Sequence, residues 1–191
     1  VFEIEVKVLV ADLKPIRDKL LALGAVLVKE QHSEVNTLYD LRNRALYGKR
    51  QALRLRMAGK KAYLTFKGTP RKSRKYKVRE EFETEVKNPR HLQKILKALG
   101  FVPFFRYEKL RTVLKKGPLK ICLDETAAGN FIEFEGERQK IAQFSKRLRI
   151  PKKDWIKLDY IQLLQMAGKK GRAPYPSSFS SPAPSSGSPS T

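Results

Sequence analysis

Phe2-Glu3-Ile4-Glu5-Val6-Lys7-Val8-Leu9-Val10 carries apolar side chains on its even positions and charge at 3, 5 and 7. That period of two is the signature of a β-strand with one greasy and one ionic face. Working outward, similar segments predict strands at 26–40, 51–58, 61–68, 76–87, 105–115, 118–125 and 130–136, separated by turn-forming Gly and Asn. Many strands in succession, few helices and no regular strand–helix alternation favour a closed or curved antiparallel sheet over a parallel α/β fold.

The segment after the first strand reads as a helix. Asp12 is placed to cap it, Leu13, Ile16, Leu20 and Leu21 form an apolar stripe, Pro15 is tolerated in the first turn, and Gly24 ends it. The same pair recurs in the second half. Glu83-Thr84-Glu85-Val86-Lys87 echoes Glu3-Ile4-Glu5-Val6-Lys7, and Leu92, Ile95, Leu96 and Leu99 before Gly100 echo the first helix. Two related strand–helix halves follow. A third helix is expected from near Glu137 to Arg149 and a fourth over 152–166, in which Trp155 and Tyr160 join Ile156, Leu163 and Leu164 to plug or flank the sheet. The folded unit is drawn as 1–168, with 169–191 as an unstructured tail. Residues 173–191 hold eight Ser and five Pro, too few packing side chains to offset the entropy of ordering them.

Composition narrows the function. The chain has 191 residues and a net charge of +22, which suits an anionic partner. One cysteine excludes an internal disulfide and a Cys-rich zinc site, and two histidines 59 positions apart do not make a zinc finger. No run of 18 apolar residues spans a membrane, and the acidic start is unlike a signal peptide, so a soluble cytoplasmic protein is expected. Neither a Gly-rich P-loop nor a dinucleotide fingerprint nor a Ser-His-Asp arrangement is evident.

Strand parity assigns the charges to faces. Glu3, Glu5 and Lys7 oppose Ile4 and Val6; Arg54 and Arg56 oppose Leu53 and Leu55; Lys67 opposes Phe66. Arg79, Glu81 and Glu83 share one parity, as do Lys109 and Arg111, while Asp124 opposes Leu123, and Glu133 and Glu135 oppose Phe134. A solvated outer face would explain any one of these strands. Seven together, in a sheet closed on itself with its apolar side against helices, would instead point inward. The proposed lumen then holds seven acids and seven bases. Clustered carboxylates call for cations, and clustered guanidinium and ammonium groups call for a dense anion. A metal-chelated polyphosphate meets both demands, and an all-oxygen ligand set favours Mg²⁺ or Mn²⁺ over zinc.

The residues that define these faces also resemble the CYTH superfamily, the triphosphate tunnel metalloenzymes. Glu3-Ile4-Glu5-Val6-Lys7 looks like its ExExK signature, and the likeness continues in order through Asn36–Asp40, Ala52–Arg56, Leu64–Gly68, Arg79–Glu83, Lys109–Arg111, Leu123–Glu125 and Gly129–Gly136. Class IV adenylyl cyclase-like proteins are the nearest members. The resemblance implies an α+β fold built on a closed eight-stranded antiparallel barrel of two related halves with flanking helices. It implies metal-side residues Glu3, Glu5, Asp124, Glu133 and Glu135, supported by Glu81 and Glu83, and phosphate-side residues Lys7, Arg54, Arg56, Lys67, Arg79, Lys109 and Arg111. Glu3, Glu5 and Lys7 are the candidate catalytic residues. Where the family usually carries a Ser-Tyr pair, this chain has Asp159-Tyr160.

The expected function is a Mg²⁺- or Mn²⁺-dependent enzyme acting on a triphosphate (ATP, tripolyphosphate or thiamine triphosphate). Its type is that of a class IV adenylyl cyclase, with a triphosphatase as the alternative because the same cage serves both. A non-catalytic polyphosphate- or RNA-binding module is a third reading, since 34 Lys and Arg against 12 acids remain outside the proposed lumen. The segment Thr69–Lys77, with five cations around Tyr76, is read as a solvated hairpin loop able to follow a phosphate backbone. Cys122 is read as a small strand residue, His32 and His91 as ordinary surface residues, and Lys157 as a candidate phosphate contact.

Overall fold

The structure is a computed structural model and describes residues 2–169. The expected tail lies, but for its first residue, outside the described residues. Eight strands, β1 (Phe2–Val10), β2 (Val26–Asp40), β3 (Ala52–Ala58), β4 (Lys61–Lys67), β5 (Lys77–Glu85), β6 (Val102–Lys116), β7 (Leu119–Thr126) and β8 (Gly129–Glu135), close into one antiparallel barrel. The strand order around it is β1-β5-β4-β3-β2-β6-β7-β8. Helices α1 (Lys14–Ala22), α2 (Ala45–Gly48), α3 (Pro89–Ala98), α4 (Arg138–Arg147) and α5 (Tyr160–Lys169) flank it. Among the described residues, no helix is long and apolar enough to cross a membrane.

The two halves are visible in the pairing. Strands β2-β3-β4 form one meander and β6-β7-β8 another, and the strand that precedes each, β1 or β5, pairs with the last strand of the opposite half. A strand and helix therefore introduce each meander, as the repeat predicts. Tight two-residue turns join β3 to β4 and β6 to β7, with Gly59 at φ +66° and Gly117 at φ +55° supplying the positive φ such turns require.

Alternation does the sorting. The even side chains of β1 point outward, where Val6 and Val8 join Leu20 of α1, Leu114, Ile121, Ile132, Phe134 and the α4 residues Ile141 and Phe144 in the main core. On the other side of the barrel, Leu96 of α3 packs with Tyr39, Leu55 and Ala62. The third cluster differs. Tyr160, Ile161 and Leu164 of α5 meet Leu38, Tyr107 and Phe131, whose parity is that of the charged residues, so α5 caps the lumen.

Three local features depart from expectation. Residues 152–166 are not one helix: a 3₁₀ turn at Lys152–Asp154 gives way to extended Trp155 and to Ile156, which exchanges both backbone hydrogen bonds with Lys7 (3.0 and 2.8 Å) before α5 begins at Tyr160. The pairing captures this stretch as a short bridge to β1 and displaces the helix to its C-terminal part. Helix α2 was not foreseen. Asp40, fully buried, creates it by accepting the backbone N–H groups of Leu41, Leu46 and Tyr47 at 2.8–3.0 Å. Asp12 accepts the Lys14 N–H at 2.9 Å, one position ahead of the cap residue Leu13.

Candidate active site

The odd-numbered residues of β1, β4, β5, β6 and β8 and the even-numbered residues of β3 surround a cavity of ≈ 270 Å³ inside the barrel. Its wall includes Glu3, Glu5, Lys7, Glu81, Glu83, Glu133 and Glu135, with Arg54, Arg56, Lys67, Arg79, Lys109 and Arg111 from the even positions of β3 and the odd positions elsewhere. Of the fourteen charged residues predicted for the lumen, only Asp124 is absent from this wall. It lies immediately behind, fully buried, and holds the wall's cations in place.

Four further charges belong here that the sequence reading did not assign. Lys77 and Lys120 line the cavity, as does Asp159 at the start of α5, and Glu34 is buried beside it. Lys77 corrects the reading of Thr69–Lys77 as a surface loop: its last residue is the first of β5, shares the parity of Arg79 and points inward. Lys157 lies outside and donates to the Ser73 carbonyl at 3.0 Å. Cys122 is a buried strand residue whose thiol is pushed up to about 12 by burial, which makes it inert rather than nucleophilic.

Charges in the wall are laid out as a chain of shared partners. Arg111 grips Asp124 with Nε and Nη2, both at 2.6 Å, and extends Nη2 to Glu133 at 3.1 Å. Glu133 also contacts Lys7 (3.0 Å), which contacts Glu5 (2.9 Å). Lys109 joins Asp124 (3.1 Å) to Glu34 (3.6 Å), and Arg56 joins Glu34 (3.6 Å) to Glu83 (2.9 Å). At the other side Lys67 bridges Glu3 (2.7 Å) and Glu81 (2.6 Å). Burial favours the neutral forms throughout, yet it is outweighed: Lys7 and Lys77 hold Glu5 well below the usual carboxylate range, and Glu133 and Glu5 keep Lys7 charged.

Two features break this balance. Burial, together with the neighbouring Glu5 and a hydrogen bond to Glu81, pushes Glu3 up to about 7 against the pull of Lys67, so Glu3 and Glu81 form a carboxylate pair short of positive charge. Conversely, the Nε atoms of Arg54, Arg56 and Arg79 and the Nζ of Lys77 are buried donors with no hydrogen-bond acceptor among the described residues. Burial also drags Lys77 down to about 8. Unpaired donors of this kind cost stability unless a ligand supplies oxygen. Among the described residues, the acids do not gather into a ready group of three or more; they are interleaved with cations, Glu3 and Glu81 sharing Lys67.

Tyr160 packs over the lumen beside Asp124. Its hydroxyl donates to Asp124, and its ring lies 4.7 Å from Lys109 Nζ and 5.2 Å from Lys7 Nζ. Both residues of the Asp159-Tyr160 pair line the tunnel: Asp159 faces Lys77 at 3.8 Å, and Tyr160 contacts Asp124. Beyond Ala52, Lys77, Arg79 and Asp159 the tunnel adjoins a second cavity of ≈ 400 Å³ lined by Tyr47, Arg50, Arg71, Tyr76 and Lys157 among others.

Comparison with known proteins agrees with this architecture. A protein of Methanocaldococcus jannaschii provisionally named an adenylate cyclase, MJ0240, is 27% identical over 172 residues, covering 84% of this chain and 97% of its own length. The PH1012 protein of Pyrococcus horikoshii superposes with a TM-score of 0.72 at 26% identity, covering 84% of this chain and 98% of that one. HpAC1 from Hippeastrum, described as having a dominant triphosphatase activity, shares the fold with a TM-score of 0.63 at 17% identity over 86% of this chain and 95% of its own. The family model for the CYTH domain matches residues 2–154, and the chain belongs to that family.

Proposed function

We propose that this chain is a divalent-metal-dependent enzyme that acts on a triphosphate lying along the barrel, of the class IV adenylyl cyclase type that converts ATP to cyclic AMP and pyrophosphate. The observation that carries the reading is the set of buried, acceptor-less donors on Arg54, Arg56, Arg79 and Lys77 around a closed cavity. Phosphoryl oxygens fit them: guanidinium groups bind such oxygens through paired N–H donors, and lysines add point charges.

Glu3 and Glu81 fit a hard divalent cation such as Mg²⁺ or Mn²⁺, because two adjacent, half-buried carboxylates that compete for one proton would be stabilised by a cation in its place. Such an ion supplies charge neutralisation across adjacent phosphates. The chain's own residues do the rest. Arg54, Arg56 and Lys67 hold the phosphates, Lys7 and Arg79 offset charge as the leaving group departs, and Tyr160, through Asp124, keeps Lys109 and Arg111 in place. In the cyclase reaction the ribose 3′-oxygen bonds to the α-phosphorus, the bond to the β-phosphate oxygen breaks, and the hydroxyl proton passes to solvent. The second cavity, beside Tyr47, is a vestibule of ≈ 400 Å³ that would receive the nucleoside.

Incubation of purified protein with ATP or tripolyphosphate, with Mg²⁺ or Mn²⁺ and product resolution, tests this. Cyclic AMP plus pyrophosphate supports the cyclase, whereas orthophosphate alone makes the same cage a triphosphatase. Glu5→Gln, which strips Lys7 and Lys77 of their shared carboxylate, should abolish metal-dependent turnover; full activity in that variant would place the chemistry elsewhere.

A further inference from the structure

The nine Lys and Arg of the tunnel wall are matched by nine Asp and Glu, counting Asp124 and Glu34 behind it, so the tunnel contributes nothing to the net charge of +22. Much of it falls on one face. Residues 138–153 contain seven cations and no acid, and residues 69–76 contain four cations and no acid. All eleven are exposed, and among the described residues none enters an ion pair.

These two segments are bound together. Tyr76 packs on Trp155 with ring centroids 5.3 Å apart, the Tyr76 hydroxyl donates to the Arg138 carbonyl at 3.1 Å, and Lys157 reaches across to Ser73 at 3.0 Å. Beside Trp155 runs a groove of ≈ 530 Å³ whose apolar members are Ala142, Ile150, Pro151 and Trp155 and whose charged members, Lys146, Arg149 and Lys152, are all cations. Lys152 lies 5.8 Å from the indole centroid.

We propose that this face binds single-stranded nucleic acid, its phosphates on the cations of α4, the 3₁₀ turn and the 69–76 hairpin, and a base against Trp155. Charge alone would suit any polyanion; the half-buried aromatic recessed in a cationic groove selects a chain that carries exposed bases between its phosphates. A lipid surface is a poorer fit, because Trp155 and Tyr76 are recessed rather than projecting. The Trp155 groove shares no lining residue with the tunnel or its vestibule, and only the 69–76 hairpin, through Arg71 and Tyr76, borders both.

The test is fluorescence anisotropy with a labelled 12-nucleotide RNA bearing a 5′-hydroxyl, so that no triphosphate can engage the tunnel. With about six phosphates contacted, log affinity should fall against log salt with a slope near −4. Trp155, the only tryptophan of the chain, should change its emission on binding. Lys146→Glu/Lys152→Glu should weaken binding at least about tenfold, with unchanged thermal unfolding because both side chains are exposed, while Lys94→Glu/Lys97→Glu on α3, against a different core cluster, should change it less than about twofold. Equal losses in the two pairs, silent Trp155 emission, or equally tight binding of inorganic polyphosphate or phosphatidylserine vesicles would each overturn the assignment.

Discussion

Lys77 Nζ stands 3.4 Å from Glu5 Oε1, directly across the β1–β5 ladder, and finds no hydrogen-bond acceptor there. A buried ammonium so placed is a poor stabiliser. Burial lowers its affinity for the proton to about 8, so the folded state is penalised for holding the charged form below that pH, and the penalty is relieved as pH rises toward the unfolded value near 10.5.

Lys77→Met should therefore separate binding from stability. We expect affinity for tripolyphosphate to fall about tenfold while the melting temperature at pH 7 is kept or raised, since an apolar side chain of similar size removes the buried charge. Calorimetric titration and thermal unfolding of the same preparation check it. Unchanged binding, or a lower melting temperature, would count against a ligand role.

Asp124 is a different case. It is fully buried and takes Arg111, Lys109 and the Tyr160 hydroxyl at once. Asp124→Asn leaves two buried cations short of their partner, and removing one side of such a cluster costs about 3–5 kcal/mol. Urea denaturation should show that loss; a loss under about 0.5 kcal/mol would mean that Asp124 is not what fixes Arg111 and Lys109.

Glu34 gives a dependence on pH. Burial would raise its pKa, but Lys109, Arg111 and Arg56 outweigh it and hold the carboxyl down at about 2 against an unfolded 4.5. The stabilisation it supplies is complete above pH 4.5 and is lost as pH falls toward 2. The stability gap between wild type and Glu34→Gln should be constant from pH 7 to 5 and narrow steadily below 4.5. A gap indifferent to pH would show that the charge of Glu34 is not the source.

Parity is why so much of the tunnel could be read in advance. Glu3, Glu5 and Lys7 stand on a short regular strand, and Arg54 with Arg56 and Glu133 with Glu135 do likewise, so alternate positions share a wall with no knowledge of the neighbours. Glu34 escaped for a physical reason: β2 shifts register between Leu27 and Lys29 and again between Lys29 and His32, which breaks the alternation along a fifteen-residue strand. Lys77 escaped because it ends a run of exposed cations, although its parity with Arg79 was there to be used. Lys120, on the parity of Asp124, is the same kind of omission. The bridge from Ile156 to Lys7 had no local signal at all, because the backbone groups that capture it belong to a strand nearly 150 residues earlier.

The central claim is that the barrel holds a triphosphate on its arginines. Titrating tripolyphosphate with Mg²⁺ into wild type and into Arg54→Ala/Arg56→Ala by isothermal calorimetry addresses it most directly. One site per chain is expected in wild type and, with two guanidinium contacts removed, a loss of about 100-fold or more in the variant. Equal affinity in the two proteins would contradict it.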